Sequence, residues 1–196
     1  MGDSSFYSLD GPLDSIPAGH QMRSGNLAGF PELVRSLGAN PIPLLERHEI
    51  DPGVIRDPEH FIDCKSVVDL FEYSSASLNA PLFGLQLAQI QDPEVFGCVT
   101  TLCRAAPRVR DSILSFIEYI PVVHSPDAVI ELVEGEDTAE IRWSVGADLG
   151  TNHQANYKAA LLNLKLLRMV GGRGFRPSYV NLSVDPCARD IAKVSR

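Results

Sequence analysis

Two cysteines and a histidine are the first residues to weigh as chemistry. Cys98 or Cys103 could serve as a thiolate nucleophile with His124 as its base, given a carboxylate to orient the ring. The surrounding pattern does not support that set: it contains no nucleophile elbow, no His-Glu-x-x-His and no Walker loop. An enzyme is therefore not expected. The four cysteines, at 64, 98, 103 and 187, follow neither CxxC nor a paired Cys/His spacing, and read as reduced thiols in a cytoplasm. No metal or cofactor is implied. Gly171-Gly172-Arg173-Gly174 has the composition of a phosphate cradle, but it follows a helical pattern instead of preceding one, which makes it a helix stop.

Binding is the better use of the remaining side chains. Trp143 is the single tryptophan and falls on the apolar side of an alternating segment, where core packing is the simple account, yet its indole N–H needs a partner if buried. Phe96, Phe116, Tyr119 and Tyr157 fall on segments that can surround the same face. An aromatic hollow with few polar groups is how small-ligand pockets are built. Asn156 and Asn163, on the flank of a long helical pattern, are candidates for those polar groups. His124 lies between a helix and a strand, where a capping or surface role competes with a side chain turned into the helix-sheet crevice.

The elements that must hold these residues follow from periodicity. Ala139, Ile141, Trp143 and Val145 alternate with polar residues, which is a strand with one face buried. Ala128, Ile130 and Leu132 form its partner, and Glu134-Gly135-Glu136-Asp137 is the turn, where Gly135 can supply a positive φ. Helices come before. Leu27, Phe30, Leu33, Val34 and Leu37 are spaced as one, stopped by Gly38; a short helix spans Pro43 to His48, and Asp51-Pro52 caps another. A broader apolar face runs from Phe61 to Tyr73, another helix covers 82–88, and Asp92-Pro93 opens the segment from Val95 to Leu102. The next helix runs from Pro107 to a stop at Pro121. Asn152 to Gly171 is the strongest helical pattern, with Ala155, Ala159, Leu162 and Leu166 in its stripe, and Ser178 to Val184 reads as a last strand. The expected fold is α+β: an N-terminal helical bundle, a β-hairpin, a long helix and a final strand, with a small sheet covered by helices.

Composition sets the limits. A chain of 196 residues with 44% hydrophobic content can bury roughly 70% of its unfolded surface without disulfide or metal. The net charge of −8 disfavours a nucleic acid as a direct partner. Apolar runs stay short of the roughly 18 residues of a membrane span, and the N-terminus lacks a signal-peptide layout. Residues 1–25 read as a loose tail, 26–186 as one domain, and 187–196 as the start of a further segment.

Three phrases, in order, carry a resemblance. FPELVRSLGANPIPLLERHEIDPGVIRDPEHFID, from Phe30, is similar to a helix, a Leu-Gly, a short helix and an Asp-Pro repeat; VFGCVTTLCRAAPRVRDSILSFIEYIPVVHSPDAVIELVEGEDTAEIRW, from Val95, resembles a Phe-Gly phrase followed by a helix and hairpin. LLNLKLLRMVGGRGFRPSYVNLSVDP, from Leu161, is similar to a long helix with a Gly-x-x-Phe-x-Pro turn and last strand. Together they resemble the N-terminal, arabinose-binding-like effector domain of AraC-type transcriptional regulators. Ala105-Ala106-Pro107-Arg108 departs from the family's Ser-Pro-Thr start. The resemblance implies a cytoplasmic sensory half that binds a small effector, forms a homodimer, and reaches DNA only through two helix-turn-helix motifs that lie outside this chain. The aromatic and aliphatic character of the candidate residues favours a small, partly apolar metabolite over a sugar. The competing reading is a ligand-free dimerisation module.

Overall fold

The computed structural model describes residues 20–125, 128–145 and 148–182. Seven α-helices and two two-stranded antiparallel sheets make up these residues, an α+β fold as the periodicities indicate. The chain enters through β1 (Gln21–Arg23), which pairs with β2 (Phe61–Asp63) in the register Met22 against Ile62. Order thus starts before Asn26: Arg23, Ser24 and Gly25 are buried, and Phe61 and Ile62 belong to a strand instead of the following helix. The reason is local, because Asp63 accepts from the Ser66 backbone N–H at 2.7 Å and so starts α3 (Cys64–Ser77) one residue later.

The early helices follow their punctuation. α1 (Phe30–Ser36) ends before Gly38, whose φ of 85° is open to glycine at no steric cost. Asn40 caps α2 (Pro41–Arg47), and Asp51 caps the 3-10 turn Pro52–Arg56. These pack with α3 and α4 (Phe83–Ile90) into a first core centred on Phe30, Phe71 and Phe83, where Phe30 meets Phe83 edge-on at 5.8 Å.

A second core forms farther along. The 3-10 turn Pro93–Phe96, α5 (Cys98–Ala105) and α6 (Val109–Val123) bring Phe96 and Phe116 edge to face at 5.0 Å. Pro121 does not stop α6. It sits in the last turn, and His124 still donates to the Ile120 carbonyl at 3.0 Å, so the ring forfeits only its own N–H bond.

The hairpin is the one the alternation specifies. β3 (Ala128–Glu134) pairs with β4 (Ala139–Val145), with Ile130 opposite Trp143 and Leu132 opposite Ile141. Ala128 and Ile130 are buried, while Val129, Glu131 and Val133 are exposed. Gly135 closes the turn by donating to Thr138 at 2.8 Å but is not among the glycines with positive φ. α7 (His153–Gly171) then crosses the molecule, burying Leu162 and Leu166 in the second core. The expected last strand is not formed over 178–182, where Val180 is 59% exposed and no ladder exists; 183–184 lie outside the described residues. The small sheet is therefore a hairpin without a third strand among the described residues.

α4 and α7 approach closely at Gly84. A Cβ there would overlap the Gln154 carbonyl, while the Gly84 N–H donates to Gln154 Oε1 at 2.9 Å. Gly84→Ala is expected to lower unfolding free energy by about 3 kcal/mol, the upper part of the overpacking range, because backbone and not a flexible side chain must move. Urea denaturation measures it. Gly174→Ala, with open space around the new methyl, should stay within about 0.5 kcal/mol.

Candidate functional site

A cavity lies where α3, α7 and the hairpin meet. Val67, Val68 and Phe71 of α3, Trp143 and Val145 of β4, and Leu162 of α7 supply apolar wall. The centre of a water-sized sphere can occupy about 80 Å³ of it, and the whole void with its mouth is about 730 Å³. A single buried water needs roughly 10–15 Å³ on the first measure, so the inner space holds on the order of five or more water-sized groups.

One end of this space is polar. Asn26, at 6% exposure, lies in the buried 3-10 turn Ser24–Leu27 that follows β1. Its amide nitrogen donates to the Arg23 carbonyl at 3.1 Å and lies 3.0 Å from His124 Nε2, and its Oδ1 accepts from Lys158 Nζ at 2.8 Å. Gln91 donates to the Asn26 backbone carbonyl at 3.0 Å. With Asn26 donating to Nε2, His124 carries its proton on Nδ1. That nitrogen lies toward the Val95 carbonyl, already taken by Arg23, and closes no good hydrogen bond of its own.

The charges at this end are unbalanced. Lys158 and His124 are each 4% exposed, and Arg23 is 3% exposed. Arg23 is paired with Glu59, whose side chain is largely exposed. Lys158 has only the neutral Asn26 as polar partner among the described residues. Burial drops its pKa from 10.5 to about 7. Burial also holds His124 well below the usual imidazole range, reinforced by the neighbouring Lys158 and Arg23 charges.

Five of the sequence candidates gather here. Phe96, His124, Trp143, Asn156 and Asn163 all line the cavity. Phe116 stands behind them, 5.0 Å from Phe96 and 6.4 Å from Trp143 by ring centres, and opens on a smaller adjoining hollow with Asn163 and Cys103. Tyr119 does not take part. It is 41% exposed on α6. Tyr157 is buried but is not part of the cavity wall. Asn26 and Lys158 were not among the sequence candidates, and only Lys158 left a signal: it falls three residues after Ala155 and four before Leu162, on the stripe that reads as apolar.

The thiols do not make a reactive pair with His124. Cys103 donates to the Ser112 carbonyl at 3.3 Å, and burial pushes its pKa up to about 11, the reverse of an activated thiolate. Cys98 is exposed. No cluster of His, Cys, Asp or Glu suited to a metal occurs among the described residues, and no helix there is long and apolar enough to cross a membrane.

Known proteins point the same way. Residues 38–195 match the family described as the arabinose-binding domain of AraC transcription regulator, N-terminal. The HTH-type transcriptional regulator VirS of Mycobacterium tuberculosis is 28% identical over 180 residues, both in strain CDC 1551 / Oshkosh and in strain ATCC 25618 / H37Rv. The alignment covers 88% of this chain and 53% of the relative, so the chain spans about half the length of the curated relatives it matches.

The buried lysine sets a pH dependence. Its folded pKa lies below its unfolded one, so from about pH 7 to about 10.5 the unfolded chain holds the extra proton. Stability conferred by this group is therefore missing below about pH 7 and rises as pH increases through that window. Lys158→Met should remove this rise, read as the flattening of melting temperature between pH 7 and 9, and should leave the variant the more stable protein at pH 6.5.

Proposed function

The chain belongs to the family of N-terminal arabinose-binding domains of AraC transcription regulators, and from that premise we propose that it is a ligand-sensing regulatory domain with no catalytic role. Its ligand is a small, partly apolar metabolite held in the cavity between α3, α7 and the hairpin. The observation that carries this reading is the cavity itself: apolar walls with a buried polar cluster at one end, the make-up of a small-molecule site. A sugar fits it poorly. Several hydroxyls would face aromatic and aliphatic wall, each losing water without a partner at about 1–3 kcal/mol apiece.

In this reading the domain controls a DNA-binding half elsewhere in a longer regulator, in the cytoplasm where the DNA is. The acidic balance of −8 supports that division of labour, because this part has no cationic excess to hold phosphates. A ligand biases the other half only to the extent that it binds two states of the regulator unequally. A second reading, self-association without ligand, draws on apolar side chains left exposed on α5 and α6, among them Leu102, Val109, Leu114 and Tyr119. Light scattering separates the two: a dimer of constant size that no compound affects favours self-association, and a ligand-dependent change favours sensing.

Thermal denaturation against a panel of small metabolites tests the sensor reading directly. A ligand at a hundredfold its dissociation constant should add about 2.7 kcal/mol. Trp143, on the cavity wall, should change its fluorescence in the same titration. Ala159→Phe, which fills the space from α7, should abolish both responses while retaining a cooperative unfolding transition. A panel without a single stabiliser sinks the sensor reading.

A further inference from the structure

The ligand's chemistry can be narrowed from the charges that face the cavity. Lys158 is on the wall, is nearly inaccessible to solvent, and reaches it from the second turn of α7. An ammonium has three N–H donors. One is used, on Asn26 Oδ1 at 2.8 Å. Asn26 is neutral, and its amide nitrogen is committed to the Arg23 carbonyl and His124. Among the described residues the cavity end therefore offers two donors and no anion.

Its neighbours sharpen the imbalance. His124 faces Lys158 across Asn26 from the end of α6, and Arg23 approaches from β1 with the exposed Glu59 as its only salt-bridge partner among the described residues. From α3 the titratable group on the wall is the Cys64 thiol. No carboxylate lies within ion-pair distance of Lys158 among the described residues. A neutral acceptor would satisfy a donor but leave the charge. A carboxylate supplies both, through charge-assisted hydrogen bonds. We propose that the ligand is a small monocarboxylic acid whose carboxylate docks on Lys158 beside Asn26, with its apolar body against Phe71, Phe96 and Trp143. The inference rests on the sensor reading of the same cavity. Space for on the order of five or more water-sized groups suits an acid of about four to eight carbons.

The acid also explains how such a lysine is useful. Docking an anion favours the charged ammonium, so binding takes up a proton wherever free Lys158 is neutral. Affinity for an acid that is fully ionised above pH 6 should then be flat below about pH 7 and fall by up to tenfold per pH unit above it.

The experiment is calorimetric titration of the full chain with straight-chain acids from butanoic to octanoic and with phenylacetic acid, each beside its primary amide and its alcohol. The expected result is binding of at least one acid, at least tenfold tighter than its amide and alcohol, weakening above pH 7. In Lys158→Met the preference for the acid and the pH dependence should both vanish. Equal binding of acid and amide, or undiminished acid binding in Lys158→Met, overturns the carboxylate and leaves the sensor. Failure of acids, amides and alcohols alike overturns the carboxylate, and if the wider metabolite panel is also silent the sensor reading falls with it.

Discussion

The side chain of Asn26 is the joint on which this structure turns. It donates to the Arg23 carbonyl and toward His124, and it accepts from Lys158, so one short side chain ties the turn after β1, the end of α6 and the second turn of α7. Only an amide can do this at such length. An aspartate would neutralise Lys158 but turn an acceptor toward the Arg23 carbonyl. A leucine of similar volume would strand three buried polar groups, at about 1–3 kcal/mol each. The choice of amide over carboxylate keeps the network connected and leaves one positive charge uncompensated. Gly97 belongs to the same constraint: at φ 69° it lets the Arg23 guanidinium lie where any Cβ would collide with it.

The elements that position this joint were largely legible, because they are governed by local rules. Strict alternation marks β3 and β4 and assigns Trp143 to the inner face, and Asp51, Asp92 and Gly38 mark turns and ends by their own backbone chemistry. What failed was long-range. β1 and β2 are three residues each, too short for a period, and exist because each finds the other across the chain. Pro121 reads as a stop, yet a proline in a last turn forfeits one bond only. The strand expected over 178–184 has the right alternation, but its described part has no neighbour with which to form a ladder.

The site divides along the same line. Trp143 lines the cavity from the inner face that alternation assigns, and Phe96, His124, Asn156 and Asn163 join it from a 3-10 turn, a helix end and α7. Tyr119 shares a helix with Phe116, but the buried residues of α6 are Ser112, Phe116 and Ile120, and Tyr119 beside them is 41% exposed. Lys158 was passed over because lysine is ordinarily a surface residue. Its place on the apolar stripe of α7 was nonetheless a signal, since a charge kept among Ala155, Leu162 and Leu166 costs stability and so needs a role. Asn26 left no such trace; nothing in its neighbours announces that a turn will bury it.

α7 is the element through which an occupied cavity can be felt elsewhere. It carries Lys158 in its second turn, and it packs against α3, α4, α5 and α6, so its position is set by all of them at once. Two of its lysines also grip the chain around the end of α4: Lys158 holds Asn26, to which Gln91 is bonded, and Lys165 donates to the carbonyls of Gln89 and Gln91. At its far end, Arg168 reaches the Phe175 carbonyl at 3.3 Å, tying the helix to the segment that follows. Charging Lys158 in an empty cavity works against this packing, whereas charging it against an anion reinforces it. Under the proposed carboxylate docking, the two protonation states of one buried amine would favour different strengths of the same helix contact. That difference is what a small ligand needs if its arrival is to shift α7 and whatever α7 is joined to.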